Sequence, residues 1–136
     1  MQLMKSPSGA LSPYYYKGGS FHGIHYGSYF DDMDAFTSMM ADEEKYILKS
    51  PEKKRIMIDL YETNMTPNIL EDFTGHIERL KPRIIKLAIS ANRKTLKTVR
   101  KALFNGCSLG KGQMYFTPDM EEGKTWLVSD SPQENI

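Results

Sequence analysis

The chain holds one cysteine, Cys107, in the glycine-rich stretch "NGCSLGKG". A single thiol excludes an internal disulfide and, with no Cys-x-x-Cys around it, reads as a free thiol in a reducing compartment. No apolar run approaches the ~18 residues of a membrane span. The opening "MQLMKSPSGALSPYYY" lacks the apolar core of a signal peptide, so a cytoplasmic protein is expected. Charge is balanced: 18 Lys and Arg against 17 Asp and Glu leave a formal net charge of +1. Such a balance gives no global pull toward nucleic acid or an anionic membrane, although a local patch can still form. Catalytic signatures are missing too. There is no His-Glu-x-x-His, no glycine-rich phosphate loop and no pair of ligands at metal spacing. His22 and His25 are three apart on a probable strand and point to opposite faces, so one ion does not reach both. His76 lies alone on a helix. No metal and no cofactor is expected.

What the sequence does hold is an alternation of periods. At 136 residues, 40% hydrophobic and 26% charged, it suits one globular domain. Residues 1–20, with two prolines, glycines and three tyrosines, read as a loose arm or an edge strand turning at "KGGS". A glycine-rich strand is expected from Phe21 to Tyr29, near a sheet edge because its glycines weaken it. Asp31 and Asp32 suit the start of a first helix carrying Met33, Phe36, Met40 and Ile47, which Pro51 ends. The acidic groups Asp31–Asp34 and Asp42–Glu44 read as helix-start and solvent-facing charges. "RIMIDLY" is a buried second strand, with Ile56, Ile58 and Leu60 on one face and Met57, Asp59 and Tyr61 on the other.

Pro67 after Thr66 opens a second helix with the stripe Ile69, Leu70, Phe73, Ile77 and Leu80. "RIIKLAIS" makes a third strand, Asn92 caps a third helix, "QMYF" is a short fourth strand, and "DMEEGKTWLV" is a last helix. The order β-α-β-α-β-α-β-α predicts an α/β fold: a single-layer, mostly parallel sheet with helices packed on it. The domain is expected over residues 21–128, with a tail at 129–136.

In such sheets ligands gather beyond the carboxyl ends of the strands. Asp59, Tyr61, Asn64, Ser90, Asn92 and Thr117 are placed to converge there. The cluster is polar but has no histidine base, which points to binding rather than catalysis. Thr66 reads as a helix cap. A phosphate on it would also sit well, because the positive end of a helix dipole tolerates anions. Arg93, Lys94, Lys97, Arg100 and Lys101 form a basic stripe on the third helix. It is a solvated face or a site for an acidic partner, phosphates or headgroups, and without interleaved aromatics it suits nucleic acid poorly. The methionines of the first helix fill the core or line a pliable groove.

The stretches "RIMIDLYE", "IIKLAIS" and "MYFTPDMEEGKTWL" resemble the STAS-like superfamily, the fold of anti-sigma-factor antagonists and of a group of lipid-binding domains. The resemblance covers roughly Phe21 to Val128. It implies a bacterial, non-enzymatic regulatory module that docks a protein partner through the Tyr61–Ile69 loop and the second helix, where Glu71 and Asp72 are exposed charges. A weak homodimer through the aromatic N-terminal arm is compatible with this. The lipid-binding relatives imply an alternative, a small apolar ligand between the sheet and the Met-rich first helix. Antagonists carry a phosphorylated serine in an Asp-Ser-Ser-Gly-type motif. Here that segment reads "YETNMTPNI", with Thr66 near the serine's place, so the resemblance makes Thr66 a possible phosphoacceptor.

Overall fold

The computed structural model describes residues 4–130 of the chain. The expected tail therefore lies mostly outside the described residues. Seven strands are present among the described residues: β1 (Met4–Lys5), β2 (Leu11–Ser12), β3 (Tyr14–Tyr16), β4 (Gly19–His25), β5 (Lys54–Asp59), β6 (Ile84–Ser90) and β7 (Met114–Phe116). Four helices accompany them: α1 (Met33–Leu48), α2 (Pro67–Leu80), α3 (Arg93–Gly106) and α4 (Met120–Val128). The main sheet has the order β3-β4-β5-β6-β7, parallel throughout except for the antiparallel β3. This is the expected α/β architecture, and "RIMIDLY" supplies its central strand.

Sequential parallel order has a consequence for layering. Each crossover must be right-handed, so α1, α2 and α3 all fall on one face of the sheet. There Ile24, Phe36, Ile47, Ile56, Ile58, Phe73, Ile77, Leu87 and Leu103 make the larger core. After β7 the chain crosses to the other face, where α4 packs on β5 and β6 over Phe21, Met57, Ala88, Leu127 and Val128. Met40 fills the larger core, with Met33 and Met39 packed at its rim. Phe36, Met40 and Ile47 thus occupy the space between the sheet and α1.

Of the two readings for the first twenty residues, the edge strand is observed for Tyr14–Tyr16. Lys17 and Gly18, both with positive φ (45° and 83°), make the tight turn into β4. Just before it, β1 and β2 form a small hairpin beside the rest of β4. Its serines finish that edge: Ser6 Oγ donates to the Gly23 carbonyl at 3.1 Å, and the His25 N–H donates to Ser8 Oγ at 2.9 Å. Side chains there satisfy backbone groups that a further strand would otherwise pair.

Two expectations are corrected. The glycine-rich strand ends at His25, not Tyr29, because the chain from Tyr26 onward leaves the regular ladder to follow the loop after β5. And Glu43 is not a solvent-facing charge: it is 0% exposed. The stripe Phe36, Met40, Glu43, Ile47 recurs at three-to-four spacing and turns Glu43 inward with its neighbours. The burial is tolerated because the carboxylate is bonded. His22 Nε2 lies 2.9 Å from one oxygen, and Ser8 donates to the other through N–H (2.9 Å) and Oγ (2.6 Å). Burial pushes the Glu43 carboxyl up, but the bonds from His22 and Ser8 together hold it below the usual carboxylate range. On the other ring nitrogen, Ser12 Oγ sits 2.6 Å from His22 Nδ1. A hydroxyl, an imidazole and a carboxylate in a row are parts of an acyl-transfer relay. Here the row ties the β1–β2 hairpin to β4 and α1.

Candidate functional site

The carboxyl ends of β4, β5 and β6 carry the polar residues singled out in the sequence, and the structure sorts them to two sides. On the α4 side are Asp59, Ser90 and Thr117. Ser90 Oγ donates to the Thr117 carbonyl at 2.7 Å, and Thr117 Oγ1 donates to Glu122. Tyr61 reaches the same region, its hydroxyl donating to the Pro118 carbonyl at 2.5 Å. On the α2–α3 side are Asn64 and Asn92. Thr66 stands apart from both groups as the N-cap of α2, accepting from the Ile69 N–H at 3.3 Å.

The α4 side holds a histidine that the sequence did not place there. Parallel register sets His25 beside Asp59, and His25 Nδ1 lies 2.8 and 3.1 Å from the two carboxylate oxygens. The His25 side chain is 53% exposed, whereas that of Asp59 is 11% exposed. Burial pushes the Asp59 carboxyl up, and the bond from His25 only partly opposes it. A raised carboxyl and an exposed imidazole thus stand side by side at the carboxyl ends of β4 and β5. The Ser90 and Thr117 hydroxyls beside it are already committed to protein acceptors. Gly27 is needed here, since a Cβ would collide with Asp59 Oδ2 and lie 2.7 Å from the Tyr61 carbonyl oxygen.

The α2–α3 side is a cleft of about 530 Å³ lined by Phe30, Asp31, Thr63, Asn64, Asn92 and Lys94, among others. The loop after β4 and the loop after β5 are zipped together at its lip. Tyr26 N–H donates to the Asp59 carbonyl (3.0 Å), Ser28 N–H to Tyr61 (2.7 Å) and Phe30 N–H to Glu62 (2.8 Å), while Asn64 N–H returns to Phe30 (2.8 Å). The buried Thr63 hydroxyl donates to the Tyr26 carbonyl at 2.6 Å and accepts from the Tyr29 N–H at 3.1 Å. Asn64 Nδ2 donates to Asp31 Oδ1 at 2.7 Å.

Three residues of this zipper have left-handed backbones without being glycine: Ser28 (φ 66°), Phe30 (φ 52°) and Glu62 (φ 61°). For a bulky aromatic such as Phe30 this conformation is an outlier. Its ring is nonetheless 59% exposed, so no burial of the side chain accounts for it. Phe30 lies just past the strand expected to end at Tyr29, and no local pattern in the sequence marks it.

Among the described residues, no three of His, Cys, Asp and Glu are grouped to hold a metal ion. No helix among them is long and apolar enough to cross a membrane. Compared with known proteins, the chain matches no family model, no curated protein and no solved structure.

Proposed function

We propose that this domain is a STAS-like regulatory module of the bacterial cytoplasm that docks a partner protein, without catalysis, on the Tyr61–Ile69 loop and the exposed side of α2. The observation that carries the reading is Phe30. Strained non-glycine backbones persist where the surroundings over-determine them, and such places are commonly recognition sites. An exposed aromatic ring held by backbone bonds on both sides costs little side-chain entropy to bury, which is the character of an interface anchor. Around it Asn64, Asn92 and Lys94 supply a polar rim. On the adjoining helix Glu71 and Asp72 are exposed and give the partner a charge to read.

The test begins by affinity capture from the native host with three baits: the native chain, Phe30→Ala, and Leu11→Ser as a control at another exposed apolar residue. The reading expects one partner retained by the native and Leu11→Ser baits and lost with Phe30→Ala. Charge reversal at Glu71 and Asp72 should release the same partner. Retention by the Phe30→Ala bait would overturn it.

A further inference from the structure

At the far side of the sheet, α3 and the β7 edge enclose an open groove of about 730 Å³. Arg93, Lys97, Arg100 and Lys111 line it with Phe104 and Phe116, and no acidic residue is among its lining. Helix α3 carries five basic and no acidic residues in a chain whose net charge is only +1. The four lining cations are exposed. None takes part in an ion pair among the described residues. The groove is thus a concentrated positive field without an internal counter-charge.

Its other wall is a sheet edge. β7 is the last strand of the order and, among the described residues, pairs only with β6. The Thr117 N–H donates to the Ile89 carbonyl at 3.1 Å. In a parallel ladder alternate residues turn to the same neighbour, so Phe116, one residue earlier, turns its N–H and C=O away from β6. Unlike the β4 edge, which hairpin serines finish, this edge has no strand beyond it among the described residues. An unpaired edge is a template for an added strand.

We propose that this groove takes an extended acidic peptide of a partner protein, added to β7 as a sixth strand with its carboxylates against α3. The dimensions agree. Arg93, Lys97 and Arg100 recur at four and three residues on one face of the helix, a rise of about 10 Å. From its first to its third residue β7 spans about 6.6 Å, room for one acid-x-acid unit. Side chains of a strand alternate, so acidic residues at every second position share the face turned to α3, about 6.6 Å apart. That spacing matches the rise of about 6 Å from Arg93 to Lys97. The recognised pattern is acid-x-acid in a β-prone segment, the strand-addition mode of peptide binding. A nucleic acid is the poorer occupant. Stacking needs a free aromatic face, and the Phe104 ring already has Arg100 and Lys111 over it, each 5.0 Å from its centre, with Phe116 edge-on.

This site does not rest on the docking reading above, since Phe30 lies elsewhere. The probe is a fluorescein-labelled peptide, Thr-Glu-Val-Glu-Val-Glu-Thr, followed by anisotropy with the full chain. Three comparisons decide: its glutamine counterpart, the same sequence N-methylated at the central residues, and the variant Lys97→Glu. The expected result is at least about tenfold weaker binding in each, with amide shifts at residues 114–116 and unchanged binding to Phe30→Ala. Lys97 is exposed on a helix, and Lys97→Gln, with an unchanged melting temperature, guards against a folding artefact. Equal binding of the N-methylated peptide would overturn strand addition. Tighter Lys97-dependent binding of oligothymidine or of phosphatidylglycerol vesicles would overturn the peptide assignment.

Discussion

Phe30 and Glu62 hold one another in left-handed conformations: the Phe30 N–H donates to the Glu62 carbonyl at 2.8 Å, with φ of 52° and 61°. The bond fixes the loop after β4 on the loop after β5 and presents the ring of Phe30 to solvent. The Phe30 ring adds little to this arrangement, and the Glu62 carboxylate accepts only a long bond from the Ser28 hydroxyl at 3.5 Å. The zipper from Tyr26 to Asn64 maintains it.

It follows that Phe30→Gly should be at least as stable as the native chain. The left-handed backbone costs a non-glycine residue about 1–2 kcal/mol, and glycine's freer unfolded chain returns about 0.5–1 kcal/mol of that. Phe30→Ala keeps the cost and loses little buried surface. Urea denaturation of the two variants should therefore place glycine above alanine, while both lose the partner.

The buried pair His22 and Glu43 gives the opposite prediction. Removing one member leaves the other uncompensated, so Glu43→Ala should cost about 3–5 kcal/mol. The double variant His22→Phe with Glu43→Leu should recover a good part of that, because apolar replacements of both members leave no orphaned charge. Denaturant midpoints of the two, compared with the native chain, check the expectation.

Acid should loosen the domain in two stages. His76 lies between the Tyr26 hydroxyl (2.9 Å from Nε2) and Glu44 (2.9 Å from Nδ1). Burial lowers its pKa, and Glu44 opposes this only in part. A folded pKa below the unfolded value of 6.5 means stability that is complete above that pH and declines as pH falls toward the folded value. Glu43 and Glu44 stand below the usual carboxylate range. Burial raises each, but hydrogen bonds outweigh it, from His22 and Ser8 on Glu43 and from Arg79 and His76 on Glu44. Their share is present above about pH 4.3 and is lost as pH falls through their folded values. Asp59, whose carboxyl is raised by burial, contributes with the opposite sign and gains as pH falls through its folded value. Urea midpoints measured from pH 8 to pH 3 should show both stages, and His76→Gln should remove the upper one.

Thr66→Ala should cost about 1 kcal/mol through loss of the cap on the Ile69 N–H. Thr66→Asp keeps an acceptor at the positive end of α2 and should hold native stability. Thermal melts of the two variants, set beside a matched pair at Asn92, which caps α3 in the same way, check the assignment.

How legible all this was in the sequence depends on the range of the interactions. The order of elements, the central place of "RIMIDLY", the caps at Thr66 and Asn92 and the turn at Lys17–Gly18 are set by local periodicity and turn chemistry, which a sequence displays. Glu43 was misread because its stripe position and its charge point opposite ways, and the partner that reconciles them, His22, lies on strand β4. His25 meets Asp59 only through the register of two parallel strands, which no local signal announces. Likewise the one aromatic of the third helix, Phe104, meets Phe116 only because β7 lies across the groove from it. Phe30 was illegible for a different reason: its conformation is imposed by the loops that hold it.

The most direct test of the docking account is hydrogen–deuterium exchange of the chain alone and with the partner captured by the native bait. The account predicts new protection over residues 28–31 and 61–72, with the β3 edge and the β1–β2 hairpin unchanged. Protection confined to the N-terminal hairpin, with 28–31 and 61–72 exchanging as before, would contradict it.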